Sequence, residues 1–329
     1  MRPAKAWIYT LILMAMVVVL VAFFWWWQKN QPSETTPSSK ITTAATKEEW
    51  LKNKTILWEN VTSTDTHKLD DGTFRMFFMK DGKIVYADSQ DGSKFDPPQS
   101  TGIGENPGKM ISNPSVLQIK ENDWIMIYEE QPIQQLGQKQ PPGPETQRDL
   151  LLATSSDGKS FASAGIAIDS SEEDNYFASV PDLVMTPDSK VRMYYVCGGE
   201  DICSAISADG KSWTKEAGVR LSGHVDPDVV RNLECLGCNE PVKWVMYCAT
   251  LEIGNKFYKA TSDDGLKWTK GGIVLLPETE KGSIVDPDVI EITPGKWRMY
   301  FGEMAEAEPQ MEGSGQINLY WADFMGDIF

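Results

Sequence analysis

Only two histidines and five cysteines occur among 329 residues, so a histidine-based zinc site of the H-E-x-x-H kind cannot be assembled from this sequence. Basic charge is scarce as well. Against 47 Asp and Glu stand 31 Lys and Arg, a formal net charge of −16, so phosphate backbones are repelled and nucleic-acid binding is excluded. No G-x-G-x-x-G, Walker loop or G-x-S-x-G is present, which removes support for nucleotide and serine-hydrolase chemistry. What is present reads as globular: 41% hydrophobic residues with 26 Gly, 19 Pro and 12 Trp supply a core, turns and aromatics, and exclude disorder for the bulk of the chain.

Residues 6–27, AWIYTLILMAMVVVLVAFFWWW, carry no charge and are long enough as a helix to cross a hydrocarbon core. The run ends in Phe23, Phe24, Trp25, Trp26 and Trp27, an interfacial belt rather than the small residues of a cleavage site. Arg2 and Lys5 precede it and only Lys29 closely follows. The positive-inside bias then predicts a single-pass anchor, residues 1–28, with a cytoplasmic N-terminus and everything after it extracytoplasmic. Residues 29–48 are rich in Ser, Thr, Pro and Gln, the composition of a flexible tether. Residues 49–329 remain as the globular part, of a size for one large domain or two medium ones.

That part repeats. A strand start containing Pro recurs at Asn113-Pro114, Val180-Pro181, Asp226-Pro227 and Asp286-Pro287, with Thr64-Asp65-Thr66 as a fifth copy without Pro. An aromatic or β-branched strand follows in each copy: FRMFF, WIMIY, VRMYY, WVMYC and WRMYF, centred on Phe77, Ile127, Tyr194, Tyr247 and Tyr300. A strand ending in Ala comes third. An Asp-Gly turn comes fourth, in SQDGSKF, SSDGKSF, SADGKSW and SDDGLKW, where Gly supplies the positive φ of a tight reversal. About 56 residues per unit suits a four-stranded blade, so the pattern predicts an all-β fold, a five-bladed propeller. The fifth copy breaks off after Tyr320-Trp321-Ala322-Asp323 with no room for its outer strand. Thr55-Ile56-Leu57-Trp58 is expected to supply that strand and close the ring.

The Asp-Pro strand starts and the ATSSDGKSF and ATSDDGLKW turns resemble the five-bladed propeller superfamily of glycoside hydrolases, arabinanases, xylosidases and fructosidases, with family 43 above all. The likeness covers about residues 55–324, and the turns also look like the Asp-boxes of sialidases. The resemblance implies a carbohydrate partner and places Asp226 as general base and Asp286 as the Asp that tunes the acid's pKa. The family's acid sits in a Glu-Gly-Pro motif. Here the matching residues are Ser112-Asn113-Pro114 and Ser179-Val180-Pro181, so an acid must come from Glu129, Glu130 or Glu303 at the ends of second strands on the same face. The alternative from another class is a propeller that binds a glycan or a protein of the cell envelope without cleaving anything.

Strand direction puts the start of each inner strand and the two longest hairpin loops, 131–148 and 304–316, on one face, where binding is expected. The Asp-Gly turns fall on the other. Asp65, Asp182, Asp228 and Asp288 recur at one position, with Ser115 in the second blade. Two readings stand for them: a ring holding Ca²⁺ in the central channel through oxygens and waters, or local caps on the backbone of each Asp's own blade. No protein metal-ligand set is written by the sequence. With Asn113 and His224, two residues before Asp226, these Asp residues complete the candidate sugar-binding set. Cys197 and Cys203 flank the hairpin tip GGEDI and are placed to form a disulfide; Cys235 and Cys238 read as a local disulfide or free thiols, and Cys248 as buried.

Overall fold

The computed structural model describes residues 48–133, 141–232, 243–250, 254–304 and 317–329. The predicted anchor, almost all of the tether, Cys235, Cys238, residues 134–140 of the first long loop and 305–316 of the second lie outside them. No helix among the described residues is long and apolar enough to cross a membrane.

Five antiparallel sheets follow one another along the chain, each running from an inner to an outer strand. The inner strands are Asp65–Lys68, Lys109–Lys120, Ala178–Met185, Val225–Arg231 and Ser283–Thr293. The second strands are Phe74–Lys80, Asp123–Pro132, Val191–Cys197, Trp244–Ala249 and Lys296–Met304. The aromatic and β-branched runs read from the sequence form these second strands, as residues suited to a surface buried on both faces do. Met76, Met126, Met193, Met246 and Met299 have no solvent exposure at all. Five apolar clusters among the described residues each join two neighbouring blades, the fourth with the fifth, first with second, second with third, fifth with first and third with fourth. The architecture is a five-bladed β-propeller.

The Asp-Gly turns are teeth. Asp91 accepts the N–H groups of Ser93 and Lys94, and Asp157, Asp209 and Asp264 repeat the pattern. These donors hold all four carboxyls below the usual range, Asp91 at about 2. Each turn docks on the preceding blade: Tyr300 Oη donates to the Gly92 carbonyl at 2.6 Å and Tyr194 Oη to that of Gly265 at 2.7 Å. A Cβ on Gly265 would lie 2.8 Å from Tyr194 Oη and 2.6 Å from Arg192, and the residue holds φ +70°. Only Gly meets both conditions.

The N-terminal chain closes the ring through the end of the expected Thr55–Trp58 segment and a second piece upstream of it. Two short pieces pair with the last strand, Asn318–Met325: Leu51–Lys52 against Ala322 and Asp323, and Trp58–Glu59 against Asn318 and Leu319. Between them the chain bulges away, tied only by Asn53 N–H to the Trp321 carbonyl and Leu57 N–H to that of Leu319. The fold engages the chain from Glu48 onward, whose carboxylate accepts bonds from Trp50 Nε1, Tyr247 Oη and Lys259 Nζ. The expected disulfide is present between Cys197 and Cys203, and Cys248 is free and buried.

Candidate functional site

Each blade carries one residue in the left-handed region just before its inner strand turns into the channel: Ser63, Asn113, Val180, Asp226 and Asp286, with φ between 45° and 55°. In blades two to five the next residue is Pro, and strand pairing skips two positions there, between Ser112 and Ser115, Ser179 and Asp182, Val225 and Asp228, and Val285 and Asp288. This bulge re-aims the side chains toward the fivefold axis. Four of the five residues tolerate the conformation; Val180, β-branched, is a true outlier and stores strain.

The residues around these bulges line one funnel on the axis, which gathers Asp65, Asn113, Asp182, Asp226, Asp228 and Asp286. Its free volume is about 30 Å³, room for water rather than for a sugar ring. Anything larger meets it at the mouth.

Below the mouth lies a closed cycle of hydrogen bonds. Asp65 accepts the N–H of Val116, Ser115 Oγ that of Leu183 at 3.1 Å, and Asp182 that of Val229 at 2.9 Å. Asp228 takes that of Val289, and Asp288 that of Thr66 at 3.2 Å. Every bond runs to the next blade, which corrects the expectation that each Asp caps its own. The carboxyls crowd, with His67 beside Asp65 as a partial offset. Burial, followed by repulsion within the ring, raises Asp182 and Asp228 well above the ordinary range. Asp288, relieved by Thr64 and Thr66, reaches about 6. Asp228 Oδ2 is buried with no partner among the described residues. His67, one turn of the pleat deeper, bonds Asp65 at 3.1 Å; burial alone would depress it, but Asp65, Asp288 and Asp182 raise it above its ordinary value.

Among the described residues no group of three or more His, Cys, Asp or Glu side chains is placed to hold one metal ion, and one oxygen of each ring Asp accepts a backbone N–H of the next blade.

Asp226 and Asp286 sit side by side at the mouth. Asp226 Oδ2 accepts the Asp286 N–H at 3.4 Å. Asp286 Oδ2 accepts Thr62 Oγ1 at 2.6 Å and Ser63 Oγ at 2.7 Å. Burial raises both, but repulsion from Asp286 and then Glu129 drives Asp226 well up, whereas the hydroxyls and the Ser63 N–H restrain Asp286. Asp226 is thus the more strongly raised of the two.

The three Glu candidates separate. Strand alternation points Glu129 and Glu130 to opposite faces of their blade. Glu129, 1% exposed, faces the site: Asn113 Nδ2 donates to it at 2.7 Å, Ser179 Oγ also donates, and Arg148 pairs with it at 3.2 Å. Glu130 turns to Asn106 and Lys109. Glu303 lies over blade five, in an ion pair with Lys52 at 3.0 Å and bonded by the Glu278 N–H. None of the three is among the residues that line the funnel. His224 also points elsewhere, its Nδ1 bonded to the Ser222 carbonyl at 2.7 Å and its ring edge-on to Tyr258.

No protein-family model and no curated protein matches this chain. Solved structures do. An α-L-arabinofuranosidase from Lactobacillus brevis superposes with a TM-score of 0.61 at 11% identity, over 81% of this chain and 91% of the other. An N-acetylgalactosamine deacetylase from F. plautii gives 0.59 at 13%, over 83% and 95%. The GH32 β-fructofuranosidase of Bombyx mori gives 0.56 at 12%, over 83% and 61%. What this chain shares with the glycoside hydrolases among them, across its whole propeller, is the five-bladed fold.

Proposed function

We propose that the funnel face binds a carbohydrate and that Asp226 and Asp286 hydrolyse a glycosidic bond there. The observation that carries this reading is the pair of adjacent carboxyls with opposed surroundings, the arrangement by which two like groups take acid and base roles. Asp226, protonated, donates to the leaving oxygen; Asp286, held as a carboxylate by Thr62 and Ser63, activates water or attacks directly. This exchanges the roles that the sequence motif suggests for the two residues. The fold shared with glycoside hydrolases supports the substrate class. The apolar run 6–27 supports a membrane anchor, and the Cys197–Cys203 disulfide supports an extracytoplasmic, oxidising location for the propeller.

The Glu129–Arg148 pair favours a second reading, since it withdraws the third carboxylate from proton transfer: a propeller that binds a glycan without cleaving it. One experiment separates them. The full chain is incubated with arabinans, xylans, fructans and sialosides beside Asp226→Asn and Asp286→Asn. Sugar release that both variants abolish is the expected result; retention of a glycan without release moves the reading to binding, and neither release nor retention overturns both.

A further inference from the structure

The gap in the closing strand opens a second cavity, of about 380 Å³, lined by Lys52, Asn53, Lys54, Glu278, Thr279, Glu303, Asn318 and Tyr320. This is more than ten times the free volume of the funnel and within the range of small-molecule sites. It lies at the end of blade five from which the inner strand starts, because Glu303 and Asn318 pair at that end of their strands.

Its lining is specific in chemistry. Among the described residues no aliphatic side chain contributes, and the ring in the lining is Tyr320, half-buried and stacked on Phe301 with 24° between the planes. Lys52 is ion-paired with Glu303 at 3.0 Å and lies over the Phe301 ring at 5.3 Å, and Lys54 faces Glu278 at 3.9 Å. The cations and anions match, so the wall is neutral overall and offers no excess charge to a phosphate or a carboxylate. Carboxamides, a hydroxyl, paired charges and one aromatic face suit a neutral ligand bearing many hydroxyls and one flat C–H face. That is the chemistry of a sugar ring.

The cavity is wired to the funnel through the short segment that links the closing strand to the first inner strand. Asn318 Oδ1 on the cavity wall accepts the Asn60 N–H at 3.4 Å, and two residues on Thr62 Oγ1 donates to Asp286. We propose that this cavity is a second carbohydrate-binding site, which holds a neutral sugar unit of the same polymer whose bond lies at the funnel. The inference rests on the glycan reading of the funnel and adds a polymer, rather than a short oligosaccharide, as the preferred ligand, since two sites on one face raise affinity through effective concentration.

The test uses the full chain and measures retardation in gels containing arabinan, xylan or inulin, beside Tyr320→Ala, the exposed-site variant Lys54→Ala, and Asp286→Asn, each checked for an unchanged melting transition. Expected is retention of one polymer by the wild type and by Asp286→Asn, weakened about tenfold or more by Tyr320→Ala and by Lys54→Ala, a loss of one well-made contact each. If Tyr320→Ala unfolds, Lys54→Ala alone decides. Polymer retention unchanged in the cavity variants but lost in Asp286→Asn overturns the second site and leaves the funnel reading standing. Retention of no polymer by the wild type overturns both.

Discussion

Asp288 in the last blade accepts the backbone N–H of Thr66 in the first, and the hydroxyl of the same Thr66 at 2.6 Å. This bond completes the cycle that runs from blade to blade around the axis, so one side chain joins the two ends of the propeller at its centre while the N-terminal pieces join them at the rim.

Replacing Asp288 by Ala should therefore cost about 2–4 kcal/mol, because three donors, Thr66 N–H and the Thr64 and Thr66 hydroxyls, lose a buried acceptor. Asp288→Asn keeps an acceptor oxygen without the crowded charge and should stay within about 1 kcal/mol of the wild type. Urea unfolding of the two variants checks the difference, and equal losses would show that the cycle is not what Asp288 contributes.

Stability should rise as pH falls from 8 toward 5. Asp182, Asp226, Asp228, Asp286 and Asp288 all titrate above the ordinary carboxyl value in the folded chain, Asp288 at about 6. A group of this kind stabilises fully below its unfolded pKa and loses that contribution as pH rises through its folded pKa. Asp91, at about 2, and the other Asp-Gly turn carboxyls act oppositely and lose their contribution as pH falls below the unfolded carboxyl range. A melting-temperature scan should peak in mild acid, roughly between the unfolded carboxyl range and neutrality. Asp288→Asn should flatten its alkaline side.

Gly302 lets Thr62 reach Asp286. A Cβ at Gly302 would lie 2.3 Å from Thr62 Oγ1, so Gly302→Ala should displace Thr62 and destabilise the fold by about 1–3 kcal/mol. Thr62→Val removes the hydroxyl with little change of shape and should raise the Asp286 pKa further. A carboxyl titration followed by NMR reads this directly; an unmoved Asp286 would show that Thr62 does not set its charge.

Gly265→Ala meets Tyr194 and Arg192 as well as an unfavourable φ, and should cost about 2 kcal/mol or more. Gly272→Ala, where nothing stands within 4 Å, is the control, and thermal melts of the two should separate clearly.

Much of the fold was legible because its signals are local. Phe77, Ile127, Tyr194, Tyr247 and Tyr300, picked out by spacing, pair directly opposite the ring residues Asp65, Ser115, Asp182, Asp228 and Asp288. The Asp-Gly turns and the Cys197–Cys203 bridge likewise need only neighbours in sequence. The site was less legible. Choosing between Glu129 and Glu130 needs the face of the blade, and the distinguishing partners, Ser179 and Arg148, come from elsewhere. Glu303 finds Lys52 at a separation of 251 residues. That the Asp ring bonds forward to the next blade depends on the bulge geometry, which the Asp-Pro pairs hint at but do not orient.

Glu48 also decides how the propeller would carry a mechanical load. Its carboxylate is gripped by Trp50, Tyr247 and Lys259, with the Trp50 ring set against Tyr247 and Phe324, so tension applied at Glu48 meets this grip. The pull is thus delivered to blade four and the seam beside it, before it reaches the two short pairs that Leu51–Lys52 and Trp58–Glu59 make with the last strand. Those pairs alone would unzip from one end. With Glu48 ahead of them in sequence, a pull applied at that residue loads blade four before it loads those pairs.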